Sequence, residues 1–399
     1  MKILLIYHYF HPEEVISARL FTQLAENLAA DRHDVTVYTG NRLMRQKGKL
    51  PECEQLNGIN IKRFPRPELS QSSNAGRVLN SFILQVKWLA SLIFQRRKFD
   101  AVILGTDPQF SYLMIPWIKL FYHKTKIIYW AFDLYPEALS ASGGRLMRIA
   151  AQLITPFTRY AYRKTDVIAD LGLCMRKRLA SYRSKAREIT LTPWALSEPA
   201  LPPLPDPEVR KQLFGEAKLT LLYSGTAGYA HDLKPFIKLA RICRERNLSV
   251  AFCFAGYGNC YQEQCREITE ADHNIRLAGF VSEAELPQRL GAADIHMISL
   301  RKGWEGIVVP SKFFGALAMG KPVLYCGSKD SDIGSWILKY DLGWVLDPDD
   351  INATADSLEQ VLNEPDFSGR CRNRISACYR KEFSSQAVLS TWQTLLKDL

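Results

Sequence analysis

The chain has 399 residues, too many for one ordinary domain and enough for two of roughly 150–200 residues each. Hydrophobic residues make up 47% and charged residues 23%, which excludes a disordered chain, and no apolar run reaches the ~18 residues that span a bilayer. The net charge of +11 is one-sided: residues 1–200 hold 29 Lys and Arg against 16 Asp and Glu, the rest of the chain 23 against 25. A basic half can meet nucleic acid, anionic lipid or a phosphorylated substrate, or be no more than a solvated surface. No nucleic-acid reading motif accompanies it.

In chain order, the opening run Lys2–Tyr9 reads as a buried strand. It runs into His11, Pro12, Glu13 and Glu14 without a small-residue cleavage site, so it is not a signal peptide, and a cytoplasmic location is expected. Apolar residues at Leu20, Leu24, Ala25 and Leu28 give a helix over 18–30, and Asp34–Tyr38 a second strand. Strand, helix and strand in so short a span form a βαβ unit, which requires a parallel sheet covered by helices. Further strands are expected at Asp100–Leu104, Lys126–Trp130, Asp166–Ala169 and Glu188–Leu191.

The proline-rich stretch 193–208 cannot sit inside a helix or central strand and marks a linker. After it the rhythm restarts: strands at Leu219–Tyr223, Ser249–Ala255, Ile275–Leu277, Ile295–Ile298 and Pro322–Tyr325, with a helix at Lys234–Glu245. The expected architecture is α/β, two doubly wound domains facing each other across a cleft: 1–192, then 209–379, with ligands outside the carboxyl ends of the strands. The nine cysteines are scattered and odd in number. Cys260 and Cys265 lack a second pair to complete a zinc site, so reduced thiols are expected.

The densest candidate site is Arg301–Pro322. A strand ends in a loop with Gly303 and Gly306, and Pro310-Ser311-Lys312 opens a helix that stops at Gly320. Free N–H groups at its start, the Lys312 charge and the Ser311 hydroxyl suit a diphosphate; the same spacing suits an ordinary capped helix. Two glycine turns, Gly225-Thr226-Ala227-Gly228 and Gly256-Tyr257-Gly258, stand at strand ends of the same half and permit close backbone approach to a ligand. In the first half Asp133 follows a strand, placed either as a base or sugar-hydroxyl partner, or as a turn residue before Pro136. His8 and His11 follow the first strand. Asp330-x-Asp332 and Asp347-x-Asp349 have magnesium-diphosphate spacing but turn-like surroundings, and no metal site is expected. Residues 80–97 and 110–126 pair apolar and aromatic residues with flanking cations, among them Arg96, Arg97 and Lys98, as interfacial helices and Rossmann-like core helices both do. Residues 42–100 hold 12 Lys and Arg against 4 Asp and Glu, which favours a peripheral contact at a membrane's inner face.

Together these motifs, with Leu277-Ala278-Gly279-Phe280-Val281 and Ala318-Met319-Gly320-Lys321-Pro322, give the chain a resemblance. It resembles the GT-B glycosyltransferases, most of all the family-4 retaining enzymes of bacterial polysaccharide and O-antigen assembly, of the colanic-acid and N-acetylfucosamine transferase kind. The resemblance implies a first domain that binds the acceptor, a saccharide or lipid-linked saccharide. It implies a second domain that binds a UDP- or GDP-sugar, and a last helix, about 380–399, that packs back on the first domain. It implies metal-independent transfer with no cofactor. It puts Gly256, Tyr257, Phe280 and Val281 near the base, Gly225, Thr226, Pro310, Ser311 and Lys312 near the diphosphate, and Asp133 at the acceptor. The family's paired Glu residues would fall at Ile307 and Gly315, where neither is present, so Glu305 is the nearest substitute. The cations usual after Gly225 are also missing, leaving His231 as a donor. Those departures motivate one alternative, a catalytically degenerate GT-B subunit that binds and activates a partner transferase. A GT-B-shaped epimerase or phosphorylase is a further enzymatic reading.

Overall fold

The computed structural model describes residues 1–43, 48–65, 67, 74–94 and 97–399; Arg96, at the basic end of the first expected interfacial segment, lies outside them. The chain divides into two compact units, residues 1–192 with 389–399, and residues 193–388.

The first unit runs β1 (Lys2–Ile6), α1 (Ile16–Ala30), β2 (Asp34–Gly40), β3 (Cys53–Leu56), β4 (Ile59–Phe64), α2 (Asn74–Phe94), β5 (Ala101–Gly105), α3 (Ile115–Phe121), β6 (Lys126–Trp130), α4 (Glu137–Ser142), α5 (Arg145–Arg163), β7 (Val167–Asp170), α6 (Leu173–Ala180) and β8 (Arg187–Thr190). Its sheet order is β3-β4-β2-β1-β5-β6-β7-β8. All pairings are parallel except the β3–β4 hairpin. Because helices cover both faces, the central strands are buried throughout and read as continuous apolar runs: Ile3, Leu4 and Leu5 of β1, and Val102, Ile103 and Leu104 of β5, have essentially no exposure. Helix α1 turns Leu20, Leu24 and Leu28 onto the sheet at the i, i+4 spacing of one helix face.

The second unit runs α7 (Pro207–Phe214), β9 (Leu219–Thr226), α8 (Lys234–Glu245), β10 (Val250–Tyr257), α9 (Asn259–Cys265), β11 (Ile275–Ala278), α10 (Leu286–Ala292), β12 (Ile295–Ser299), α11 (Lys312–Ala318), β13 (Val323–Cys326), α12 (Asp332–Tyr340), β14 (Gly343–Leu346), α13 (Ile351–Leu362) and α14 (Phe367–Glu382). A final helix, α15 (Ser385–Lys397), follows, and from Leu389 onward its residues belong to the first unit. The second sheet is wholly parallel, ordered β11-β10-β9-β12-β13-β14. The chain therefore winds outward from β9 through β10 and β11, then returns to β12 on the other side of β9. The carboxyl ends of β9 and β12 flank the point where the winding reverses, which is where open α/β sheets bind ligands.

One carboxylate ties this unit together. Asp294, ahead of β12, accepts from both Arg210 guanidinium nitrogens at 3.1 and 2.8 Å, from the Thr220 N–H and hydroxyl at 3.0 and 2.9 Å, and from Ser368 at 3.1 Å. Each lone pair of a 7%-exposed anion is thereby satisfied. Among the cysteines, Cys243, Cys253, Cys265, Cys326 and Cys371 are buried free thiols, Cys174, Cys260 and Cys378 are half-buried, and Cys53 is exposed.

Candidate active site

Strands β9 and β10 end side by side, with Gly225 opposite Gly256 and Thr226 opposite Tyr257. The glycines are required by sterics. A Cβ on Gly256 would stand 2.6 Å from the Gly225 carbonyl oxygen, and one on Gly225 would stand 2.9 Å from Lys312 Cε. Gly225 also has φ +120°, a region that side chains rarely enter. The missing side chain lets Lys312, the first residue of α11, lie against the end of β9.

Lys312 is the centre of the site. Its Nζ donates to the Thr226 carbonyl at 2.8 Å and lies 5.2 Å from the centroid of the Tyr223 ring. The ammonium has three donors, and one of them is used by that bond. Burial alone pushes its pKa down to about 8. Among the described residues no carboxylate forms an ion pair with it. A cation desolvated without a counter-charge opposes folding, and such groups cluster where a ligand supplies the missing charge.

His231 stands in the loop after β9. Its Nδ1 accepts from the Gly228 N–H at 3.3 Å, which leaves Nε2 carrying the proton. Burial, then the charges of Lys312 and Arg301, push its pKa down to about 3. His231 is therefore a neutral donor beside two cations. The loop itself is held by Gln264, whose side chain accepts from the Leu233 N–H at 2.6 Å, and by Ser299, which accepts from the Asp232 N–H at 3.0 Å. Arg301, exposed at the end of β12, donates its N–H to the Ala230 carbonyl at 2.8 Å and adds positive charge to this loop. Arg301 opens the densest candidate stretch, but its place at the strand end does not by itself assign it a role.

One expectation changes. The first N–H groups of α11 are not all free: Phe313 donates to the Pro310 carbonyl and Phe314 to the Ser311 carbonyl, because a tight turn precedes the helix. Ser311 makes no side-chain cap. The anion-binding capacity of Pro310-Ser311-Lys312 thus rests mainly on the lysine. Glu305 closes its own loop, accepting the Gly303 N–H at 2.7 Å, which accounts locally for its position. At Gly315 a Cβ would meet only Leu290 at 3.8 Å, so the helix has room there for a side chain it lacks.

At the far side of β10, Tyr257 and Phe280 form an edge-to-face pair with centroids 6.0 Å apart, and both are substantially exposed, 39% and 59%. Gly258, at φ +111°, turns the chain beside them. Exposed aromatic faces at the end of a strand offer a stacking surface for a planar base. Val281 instead lines a separate cavity of about 320 Å³ with Leu213, Cys253, Arg276 and Arg289.

The first unit has its own polar cluster at the reversal point of its sheet, between β1 and β5. His8 Nδ1 lies 3.3 Å from an Asp107 carboxylate oxygen. Asp133, after β6, is raised to about 6 by burial and then by the Asp107 charge. Its backbone and that of Phe132 donate to Thr106 Oγ1 at 3.3 and 2.8 Å. Asp107 was not legible as a site residue, since an Asp-Pro pair after a strand reads as a turn. His11 precedes Pro12 and its carbonyl accepts from the buried Arg63 guanidinium at 2.8 Å, a structural role.

The sequence of the second unit carries a family match. Residues 218–364 match the family described as Glycosyl transferases group 1. This part of the chain is a group 1 glycosyl transferase domain. It holds β9 to β14 and therefore Lys312, the Gly225 turn and the Tyr257–Phe280 pair. Across the longer chain, the protein is 22% identical over 351 residues to the probable glycosyltransferase WbjE of Pseudomonas aeruginosa, covering 84% of each. It is also 22% identical over 411 residues to the putative colanic acid biosynthesis glycosyl transferase WcaI of Escherichia coli K12, covering 96% of this chain and 97% of that one. The sucrose-phosphate synthase of Thermosynechococcus elongatus superposes with a TM-score of 0.75 at 13% identity, covering 100% of this chain and 98% of that one. The fold is GT-B, with two parallel-sheet α/β domains and the group 1 domain second.

Proposed function

We propose that the protein transfers a sugar from a UDP- or GDP-sugar to a saccharide acceptor in cell-surface polysaccharide synthesis, with retention at the anomeric carbon and without a metal ion. The observation that carries this reading is Lys312: a half-buried cation without a carboxylate partner among the described residues, set beside a glycine at the reversal point of a group 1 domain. Departure of a nucleoside diphosphate leaves negative charge on its terminal phosphate. Fixed positive groups that need not reorganise stabilise that charge as it develops. Lys312 supplies the charge, and the neutral His231 Nε2–H, with Arg301 behind it, supplies a further donor. Tyr257 and Phe280 take the base. Asp133, the raised carboxylate of the first unit, accepts a hydrogen bond from the acceptor hydroxyl. The names of WbjE and WcaI support the polysaccharide setting. The basic composition of the first half supports a lipid-linked acceptor and a location in the cytoplasm at a membrane's inner face. No helix among the described residues is long and apolar enough to cross a membrane.

The test is a thermal-shift screen against UDP, GDP, ADP and TDP with and without magnesium, followed by turnover of the selected donor class. A ligand that binds only the folded state raises the melting temperature. A selective shift by UDP or GDP that survives chelator, and is lost in Lys312→Met, is the expected result. No shift by any diphosphate refutes the reading and turns attention to a partner-activating subunit.

A further inference from the structure

Helices α2, α3 and α5 of the first unit share an unusual composition: none of them contains an Asp or Glu. Each is apolar on two sides. In α2, Leu84, Trp88 and Leu92 are buried, while Val78, Phe82 and Val86 lie in solvent at the same i, i+4 spacing, Phe82 being 62% exposed. In α3, Ile115 and Ile118 turn inward and Trp117, Leu120 and Phe121 turn out. In α5, Ala151, Thr158, Ala161 and Tyr162 are buried. Leu146, Ile149, Leu153, Phe157 and Tyr160 form a second, exposed stripe, with Phe157 at 65%. Helical geometry puts Arg145, Arg148, Arg159 and Arg163 on the third side of α5, all exposed.

A surface helix ordinarily turns polar residues outward. Here the outward apolar stripes converge on a groove of about 940 Å³ lined by Phe82, Val86, Trp117, Leu120, Phe157 and Tyr160. Two lysines share its wall. Lys119 is neutralised by Asp166 at 2.6 Å, and Lys164 lies 5.7 Å from the centroid of the Tyr160 ring. A groove of this size can take a hydrocarbon chain. A second copy of the chain fits this face poorly, because these helices offer no carboxylate to pair with the arginines that a symmetric contact would bring to it. An anionic bilayer fits it: phosphates meet the arginines, acyl chains meet the apolar stripes, and Trp117 and Tyr160 suit the boundary between them.

We infer that the α2–α3–α5 face seats the protein on an anionic lipid bilayer and that its groove takes the hydrocarbon chain of a lipid. This deepens the lipid-linked-acceptor reading above and rests on it for the identity of that lipid as acceptor. The experiment is flotation of the full chain with vesicles of phosphatidylcholine alone and of phosphatidylcholine mixed with phosphatidylglycerol, alongside the nucleoside diphosphate melting shift. Wild type is expected to float with the anionic vesicles. Trp117→Ser/Phe157→Ser, both at exposed positions, should reduce the bound fraction about tenfold or more at unchanged melting shift. Arg148→Gln/Arg159→Gln should weaken binding to anionic vesicles only. The inference is overturned if wild type stays in solution with the anionic vesicles, or if the Trp117/Phe157 variant floats like wild type. It is equally overturned if wild type sediments as a dimer that those two substitutions dissociate. Flotation without a diphosphate shift would remove the glycosyltransferase reading and leave the membrane seat; a diphosphate shift without flotation would do the reverse.

Discussion

Replacing Lys312 by Met keeps the length and apolar stem of the side chain and deletes the ammonium. Two consequences of opposite sign follow. The ammonium is held at about 8 in the fold, below its ordinary 10.5. Between those values the unfolded chain binds a proton that the folded chain does not, so Lys312 opposes folding fully below pH 8, and stability is regained as the pH rises towards 10.5. The variant lacks that penalty, and it loses only the bond to Thr226 and the contact with the Tyr223 ring. Lys312→Met should therefore melt no lower than wild type at pH 7. Ligand binding should move the other way. A charge-assisted hydrogen bond contributes about 1.5–3 kcal/mol, so diphosphate affinity should fall roughly 10- to 150-fold. The transfer rate should fall about 100- to 1,000-fold, the cost of removing one preorganised donor to developing charge. Binding must also protonate Lys312, so wild-type affinity, measured by calorimetry in buffers of different ionisation heat, should drop about tenfold per pH unit above about 8, and the variant should show no such slope. A variant that melts lower yet binds diphosphate as wild type does would make Lys312 a strut for the β9 turn and refute the argument.

Gly225→Ala should lose diphosphate binding and about 1–3 kcal/mol of stability in urea titrations, since its φ of +120° strains any side chain and the new methyl would push aside the flexible end of Lys312, whose Cε would stand 2.9 Å away. Phe280→Ser should weaken a nucleoside diphosphate about tenfold while leaving inorganic pyrophosphate unaffected; equal loss for both would remove the base from the Tyr257–Phe280 surface. Gly315→Ala should stabilise the protein by about 0.5–1 kcal/mol, because the position is helical and the nearest foreign atom is 3.8 Å from the new methyl.

Most of the strands that were legible are those that the fold buries on both faces; the edge strands β8 and β11, legible too, carry exposed residues. β1, β5, β6, β9, β10 and β12 are short apolar runs because no face of them meets water. The strands that were not legible lie at a sheet edge or next to one. β4 alternates Ile59, Ile61 and Arg63 with half-buried polar residues, and its hairpin partner β3 alternates exposed and half-buried residues with none buried. β14 is four residues long and opens on Gly343, where a Cβ would strike the Val323 carbonyl at 2.0 Å, so packing selects it and propensity does not. Helix α5 runs through Pro156, a residue that ordinarily argues against a helix interior. At the site, the residue types at Gly225, Lys312 and Phe280 were readable from their positions at strand and helix ends. Their contacts were not, since nothing in the spacing says that Lys312 lies on Gly225. The tight turn that occupies the first N–H groups of α11 and the local role of Glu305 depend on loop conformation, which periodicity does not encode.

Helix α15 has a further consequence. Trp392, Leu395 and Leu396 are buried, with the Trp392 ring packed edge-on at 5.2 Å against Trp130 of β6, and Gln393 donates to Asp31 after α1 at 2.7 Å. The sheet of the first unit is thus finished by a helix encoded after the whole second unit. At ordinary synthesis rates of about 5–20 residues per second, the face that receives Trp392 waits roughly 10–40 s for its cover. The domain begun first is completed last, and the interval is a period in which a nascent chain presents an aromatic surface that a chaperone would have reason to hold.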